Sequence, residues 1–308
     1  MHYSEIFYWV LNMSISGAIM GIIIYFLSKI SRVPRKIICF LWSIPCLRMW
    51  LPIGIGSKYS LLSIIFKCVG RVVPFGDSAN AFSLSNFVAG AKEYFPIVYK
   101  NAHLEKVFLI AAIIWMTVAV LLIIITLWSY LNAKKEIKKA VLLKDNIYIL
   151  KGVHSPMVCG IISPKIILPE NMPHSFDKIQ LGYILKHEKV HIKRLDNLWR
   201  FIGILTAVIH WFNPFCWLFL KVFLRDIELA CDEAVLKKLS FKQRKEYAFT
   251  LLESGKNKGI WASAFGGASI RLRIEKILSY KSLSIISFAA FLLLALVIGY
   301  ILLTNPSL

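Results

Sequence analysis

Long apolar runs alternate with short, lysine-rich polar stretches along most of this chain. Four runs, roughly Ile6 to Ile30, Ile37 to Ile55, Val107 to Tyr130 and Leu283 to Leu303, are long enough to cross about 30 Å of hydrocarbon as helices. Between the first two lies "SKISRVPRK", and after the third comes "LNAKKEIKKAVLLKD". Positive charge marks the cytoplasmic side of a span, so both stretches are expected in the cytoplasm. The N-terminus, the loop from about Gly56 to Glu105 and the C-terminal tail then fall outside. No small-residue cleavage site follows the first run, which reads as a retained signal anchor.

The pattern changes between Leu131 and Ser282. "NIYIL", "MVCGII" and "KIILP" are short β-branched runs separated by Gly152, Pro156, Gly160 and Pro164, which predicts a small antiparallel sheet. A helix-periodic segment follows, "PHSFDKIQLGYILKHEKVHIKRLDNLWR", with Ser175 as its expected N-cap. A fifth apolar stretch runs from Phe201 to Leu224, but Asn213-Pro214 divides it into halves too short to cross alone. It is expected to dip into the cytoplasmic leaflet as a helical hairpin and return. A true fifth crossing would part the acidic residues after it from the histidines before it.

Composition sharpens this picture. Hydrophobic residues make up 57% of the 308 and the mean hydropathy is +0.64, more than a soluble core needs. The formal charge of +20 sits largely beside apolar segments, where it orients helices and meets anionic lipid; direct nucleic-acid binding is not expected. None of the six cysteines stands in a CxxC spacing, so neither a disulfide framework nor a cysteine metal cluster is implied.

The candidate chemistry lies in "LKHEKVHIKRLDNLW". His187 and His191 stand four apart, which on a helix differs by about 40° in azimuth and one turn in height, so both imidazoles can hold one ion. Glu188 directly follows the first histidine, the position of the general base in an HExxH peptidase. An ion there acidifies a water, and a carboxylate takes its proton and returns it to the leaving amine. A third ligand is sought in "DIELACDEAV", which offers Asp226, Glu228, Asp232 and Glu233. Glu228 and Asp232 share a helix face, so one can bind metal while the other orients a histidine. The same acids could instead form a solvated face offsetting Lys237 and Lys238. His154 and His210 are expected to be structural hydrogen-bonding groups, Arg194 and Asp196 a salt bridge that fixes the hairpin, and Trp199, Trp211, Phe212 and Trp217 an interfacial belt.

Taken in order, "SPMVCGIISPKIILP", "LKHEKVHIKRLDNL", "HWFNPFCW" and "RDIELACDEAV" resemble the BlaR/MecR family of membrane-embedded zinc metalloproteases, gluzincins distantly similar to the CAAX prenyl proteases. The resemblance implies Zn2+ held by His187, His191 and Glu228, with Glu188 as general base and Asp232 supporting a ligand. It also implies antibiotic-resistance signalling, in which a DNA-bound repressor is inactivated after a β-lactam is sensed. The familiar sensors carry a penicillin-binding domain after the last span, whereas this chain ends at "LLTNPSL". "SFDK" at Ser175 to Lys178 offers a Ser-x-x-Lys spacing without partner motifs, and is read as a helix start. An external signal is then expected through the Gly56 to Glu105 loop or a separate sensor partner.

The expected architecture is therefore a mainly α membrane protein with four transmembrane helices and a cytoplasmic gluzincin-like zinc protease domain. Residues 1–130 form the N-terminal membrane region, 131–282 the protease domain, and 283–308 the final helix and tail. The expected function is signal-regulated proteolysis of a cytoplasmic repressor at the cell membrane, with self-cleavage in "ASAFGG" around Ser263, Ala264 and Phe265. A housekeeping membrane protease and a non-catalytic transducer are the other readings, and the oligomeric state is left open.

Overall fold

The computed structural model describes residues 3–30, 32–51, 56–57, 59–60, 102–255, 269–281 and 284–306. The chain is mainly helical. Among the described residues three helices are long and apolar enough to cross a membrane: α1 (Tyr3–Lys29), α4 (Ala102–Ile137) and α11 (Ile285–Leu303). The second apolar run is not one such helix. It forms α2 (Arg35–Leu41) and α3 (Ser43–Trp50), joined at Trp42 and ending at Leu51. Pro45 lies within α3 and lacks the N–H that would carry the helix ladder through this junction.

Helix α1 buries Asn12 and Ser16 without leaving their polar atoms bare. Asn12 donates to the Tyr8 carbonyl at 3.0 Å and Ser16 to the Asn12 carbonyl at 2.6 Å, the usual remedy where no water is at hand. Small residues let helices close in on α1. At Gly21 an added Cβ would collide with the ring of Phe219. Gly21→Leu is therefore expected to disrupt this packing and lower the thermal midpoint of the detergent-solubilised protein by several degrees; an unchanged midpoint would show that the contact is dispensable.

The fifth apolar stretch reverses where Asn213-Pro214 stands. Helix α7 (Asp196–Ile209) and helix α8 (Pro214–Leu236) form the two arms. The Asn213 side chain caps α8 by accepting from Phe215 N at 2.9 Å and donates to Ser14 Oγ at 2.8 Å, while Pro214 occupies the first helical turn. Ser14 is about 22 Å along α1 from Lys29 at 1.5 Å per residue, so the hairpin tip reaches the middle of the apolar bundle. His210 lies at that tip, where its Nε2 hydrogen-bonds the Met49 carbonyl at 3.1 Å. Trp211, Phe212 and Trp217 gather there too, with Trp211 bonded to the Trp115 carbonyl, Trp217 to the Trp211 carbonyl, and Phe212 against Phe7. Trp199 lies a full arm away beside α3 and does not join them in one belt.

The sheet corrects the antiparallel expectation. It has four strands, β2 (Val141–Lys144), β3 (Ile147–Leu150), β4 (Met157–Cys159) and β5 (Lys165–Pro169), in the order β2-β3-β5-β4. The β4-β5 hairpin turns through Gly160, whose φ of +94° favours glycine. It swings over so that β5, not β4, lies against β3, which makes that pair parallel and the sheet mixed. A two-residue pairing also joins β1 (Gly56–Ser57) to β6 (Asn305–Pro306), bringing the ends of α3 and α11 together.

Beyond the short α5 (Met172–Ser175) comes α6 (Lys178–Lys193), which carries the HEKVH motif. Its N-cap is Asp177 rather than Ser175. Asp177 Oδ1 accepts from Ile179 N and Gln180 N, and Gln180 Oε1 accepts from Asp177 N, a complete capping box. Ser175 instead closes α5, donating to the Asn171 carbonyl. Helices α9 (Phe241–Gly255) and α10 (Ile270–Leu278) complete the body around a core of Tyr183, Val235, Leu236, Tyr247, Leu251 and Ile277.

Candidate metal centre

The buried face of α6 runs through Tyr183, Ile184, His187, Glu188 and His191, a helical stripe that places both histidines and the glutamate toward α8. Their Nε2 atoms approach to 3.1 Å. The Glu228 carboxylate enters from α8, with Oε2 at 3.6 Å from His187 Nε2 and Oε1 at 3.6 Å from His191 Nε2. Ligand-type atoms of these three residues all lie within 4.8 Å of one another.

Both imidazoles are oriented from behind. Leu195 adopts a left-handed conformation, φ 56° and ψ 36°, which turns the chain sharply enough for Asp196 to return to the helix it has just left. Asp196 Oδ2 lies 2.8 Å from His191 Nδ1, and its Oδ1 accepts from Arg194 Nε at 3.2 Å. The expected Arg194–Asp196 ion pair is present, but Asp196 also holds a histidine. On the other side, Tyr247 donates its hydroxyl to Asp232 Oδ1 at 2.6 Å, and His187 Nδ1 lies 2.9 Å from the same hydroxyl oxygen and 3.3 Å from Asp232. Each Nδ1 thus faces an acceptor, which orients each Nε2 toward the shared centre.

The electrostatics of the metal-free centre favour charge on its acids and on His187. Burial would raise the Asp232 carboxyl, but Arg273 and His187 hold it well below the usual carboxylate range. Burial likewise opposes ionisation of Asp196, and His191 and Arg194 bring it below its ordinary value. Tyr247 is pushed well above 10, first by burial and then by Asp232, so it stays a neutral donor. For His187, burial and Arg273 resist protonation while Asp232 and Glu228 favour it, and the carboxylates prevail, raising it to about 9.

Two nitrogens and one carboxylate, with their outer atoms already held, match the donor set of a catalytic zinc site that keeps a fourth position open. Both Glu228 oxygens face a histidine and an arginine: Arg200 donates to Oε1 at 2.6 Å, while Oε2 lies 3.6 Å from His187 Nε2 and 3.3 Å from Arg273. Glu188 is buried at 8% exposure and points toward β4, where burial and the Glu188 carboxylate together raise the Cys159 thiol. Asn197 donates to the carbonyls of Val158 and Gly160, fastening that edge of the sheet to the hairpin.

The two other acids of "DIELACDEAV" turn away. Asp226 accepts from Trp42 Nε1 at 3.0 Å and from Arg225, and lies 3.5 Å from Arg35. Glu233 accepts from Arg35 N at 2.8 Å at the start of α2, where a negative charge meets the positive helix end. Tyr247 and Arg273 escape a sequence reading because no short motif ties them to HEKVH, while Arg200 and Cys231, whose Sγ lies 3.1 Å from Asp196 Oδ2, stand within the quoted stretches without a spacing that marks them. The candidate cleavage segment Ser263, Ala264 and Phe265 lies outside the described residues.

A family model described as BlaR1 peptidase M56 matches residues 8–277. Among curated proteins, the regulatory protein BlaR1 of Bacillus licheniformis is 29% identical over 223 residues, 63% of this chain and 37% of that protein. The methicillin resistance mecR1 protein of Staphylococcus aureus is 29% identical over 129 residues, 41% of this chain and 22% of its own length. BlaR1 of Staphylococcus aureus is 28% identical over 156 residues, 47% and 27% respectively. The chain thus matches between about a fifth and little more than a third of the length of these relatives.

Proposed function

The chain belongs to the BlaR1 peptidase M56 family, and from that membership and the geometry of its buried histidine pair we propose that it is a membrane-embedded zinc endopeptidase. Its substrate class is a cytoplasmic transcriptional repressor, with the chain's own segment around Ser263, Ala264 and Phe265 as a second target. The observation that carries this reading is the convergence of His187, His191 and Glu228, with Glu188, a buried acid, next to His187 in the chain.

In this reading His187, His191 and Glu228 hold the ion, and Asp232, Tyr247 and Asp196 fix the two imidazole tautomers. Zinc, when bound, acidifies a water and polarises the scissile carbonyl. Glu188 takes the proton at its carboxylate and delivers it to the leaving amine. The four acids of the centre divide their labour by partnership. Glu228 is engaged by two arginines, Asp232 by Arg273 and Tyr247, and Asp196 by His191 and Arg194. Among the described residues no cation pairs with Glu188, which suits a group that must gain and lose a proton. The test is metal removal: purified full-length chain in lipid nanodiscs should carry about one zinc per chain, lose hydrolysis of an unstructured protein substrate to a chelator, and regain it with zinc. Activity that survives complete zinc removal would overturn this reading.

The topology proposed is four crossings, with α2 and α3 together making the second, residues 131–282 forming the protease domain and residues 283–308 the final span and tail. The β1-β6 pairing supports it, since it sets the ends of α3 and α11 on one side, away from Lys29 and Arg35. Single-cysteine labelling of intact cells should then leave Lys144→Cys and Lys238→Cys protected and Tyr59→Cys, at an exposed position beside the β1-β6 pairing, reactive. External labelling at Lys238 would require a fifth crossing and would sink the topology.

A further inference from the structure

Helix α10 contributes no residue to the HEKVH helix or to the hairpin, yet it delivers one side chain into the middle of the metal centre. Arg273, 6% exposed, grips Asp232 with both Nε and NH2 at 2.7 Å. The same guanidinium lies 3.3 Å from Glu228 Oε2 through NH1 and 3.3 Å from His187 Nε2 through NH2. One planar fork therefore touches two candidate ligands and the acid that orients one of them, a geometry a lysine cannot reproduce.

What holds α10 in place is separable from what holds the ligands. Ile277, one turn beyond Arg273 on the same face, is fully buried among Tyr183, Val235, Leu236, Tyr247 and Leu251. Arg244 donates to the Tyr280 carbonyl at 3.3 Å and stacks over the Tyr280 ring. On its C-terminal side α10 ends at Leu278, and residues 279–284 separate it from α11, which begins at Ile285. The near end of α11 is less tightly packed than the far end: Ile285 and Ile286 are 88% and 82% exposed, Phe288 and Phe291 are partly buried, and the buried residues Ala295, Gly299 and Leu302 lie farther along. The far end of α11 is fixed by the β1-β6 pairing, so a tilt about that end would carry its near end, and α10 with it.

We propose that Arg273 is a positioning residue for Glu228 and Asp232, and that its tether to α11 makes the affinity of the metal centre depend on where that apolar helix stands. This rests on the zinc reading above and adds its regulation. Withdrawal of α10 leaves Glu228 and Asp232 buried with a partner missing, and the ligand set loosens. The loss of an outer partner of this kind weakens metal binding by about 10–100-fold.

The experiment uses the full chain in nanodiscs and zinc alone, titrated against a chromophoric chelator. Arg273→Gln should bind zinc about 10–100-fold more weakly than wild type, with Arg273→Lys between the two. For the tether, wild-type affinity is compared in thin and thick phosphatidylcholine bilayers, di-14:1 against di-22:1, because a span adjusts to hydrophobic mismatch by tilting and shifting. Affinity should differ between the two bilayers, and a flexible glycine-serine stretch inserted after Tyr280 should abolish the difference. Equal zinc affinity in Arg273→Gln and wild type would overturn the positioning role. Equal affinity in both bilayers, or a difference that survives the insertion, would overturn the coupling. Wild type that binds no zinc would instead overturn the metal reading, and this proposal with it.

Discussion

Glu188→Gln is expected to lower peptide hydrolysis by about a hundredfold to ten-thousandfold, the usual worth of a positioned general base, while zinc content stays at the wild-type level. The exchange keeps the side chain's volume inside a site where Glu188 is only 8% exposed, so packing is preserved. It removes the proton acceptor and touches none of the three converging donors. Zinc measured by mass spectrometry beside turnover of an unstructured substrate separates the two effects. A variant that keeps its activity would strip Glu188 of its role, and one that loses zinc would show that this carboxylate is a ligand. Any fragment arising near Phe265 in wild type should also vanish in Glu188→Gln, since self-cleavage needs the same proton transfer.

The HEKVH helix and the acidic helix were legible because each rests on local periodicity. Two imidazoles at i and i+4 must share a face, and Glu228 and Asp232 obey the same rule on α8. The hairpin was legible because Asn213-Pro214 combines a cap with a residue that cannot continue the preceding helix, and Asn213 performs that capping. Other features depend on contacts between distant segments, which leave no local mark. The parallel β3-β5 pair depends on which side of β5 the β4 hairpin swings, and strand composition does not encode that choice. The broken second run reads as one apolar window, because hydropathy averages over Trp42 and Pro45 without seeing the helix ladder they interrupt. The N-cap shifted from Ser175 to Asp177 because both are good caps, and only Asp177 has Gln180 three residues ahead to complete the box. Tyr247 and Arg273 reach the centre from helices far along the chain, and a tyrosine or arginine on an amphipathic helix looks like any other.

Glu228→Ala should weaken zinc retention by more than about a hundredfold, beyond the loss that follows removal of an outer partner. It should also destabilise the metal-free protein, which distinguishes a ligand from a bystander. Arg200 and Arg273 both bear on this carboxylate, at 2.6 Å and 3.3 Å, and Glu228 is only 16% exposed. Deleting one member of a buried charge cluster leaves the others uncompensated, at a cost of about 3–5 kcal/mol. Glu228→Gln keeps an oxygen toward His187 and should fall between wild type and alanine in both measurements. Thermal unfolding with excess chelator reads the destabilisation, and chelator competition reads the affinity. If Glu228→Ala retains zinc with wild-type affinity, the third-ligand assignment is wrong, and the neighbouring cluster of His191, Asp196 and Cys231 becomes the alternative. Asp196→Ala decides between them: as an outer partner of His191 it should cost only about 10–100-fold, and a larger loss than in Glu228→Ala would move the metal to that side of the imidazole.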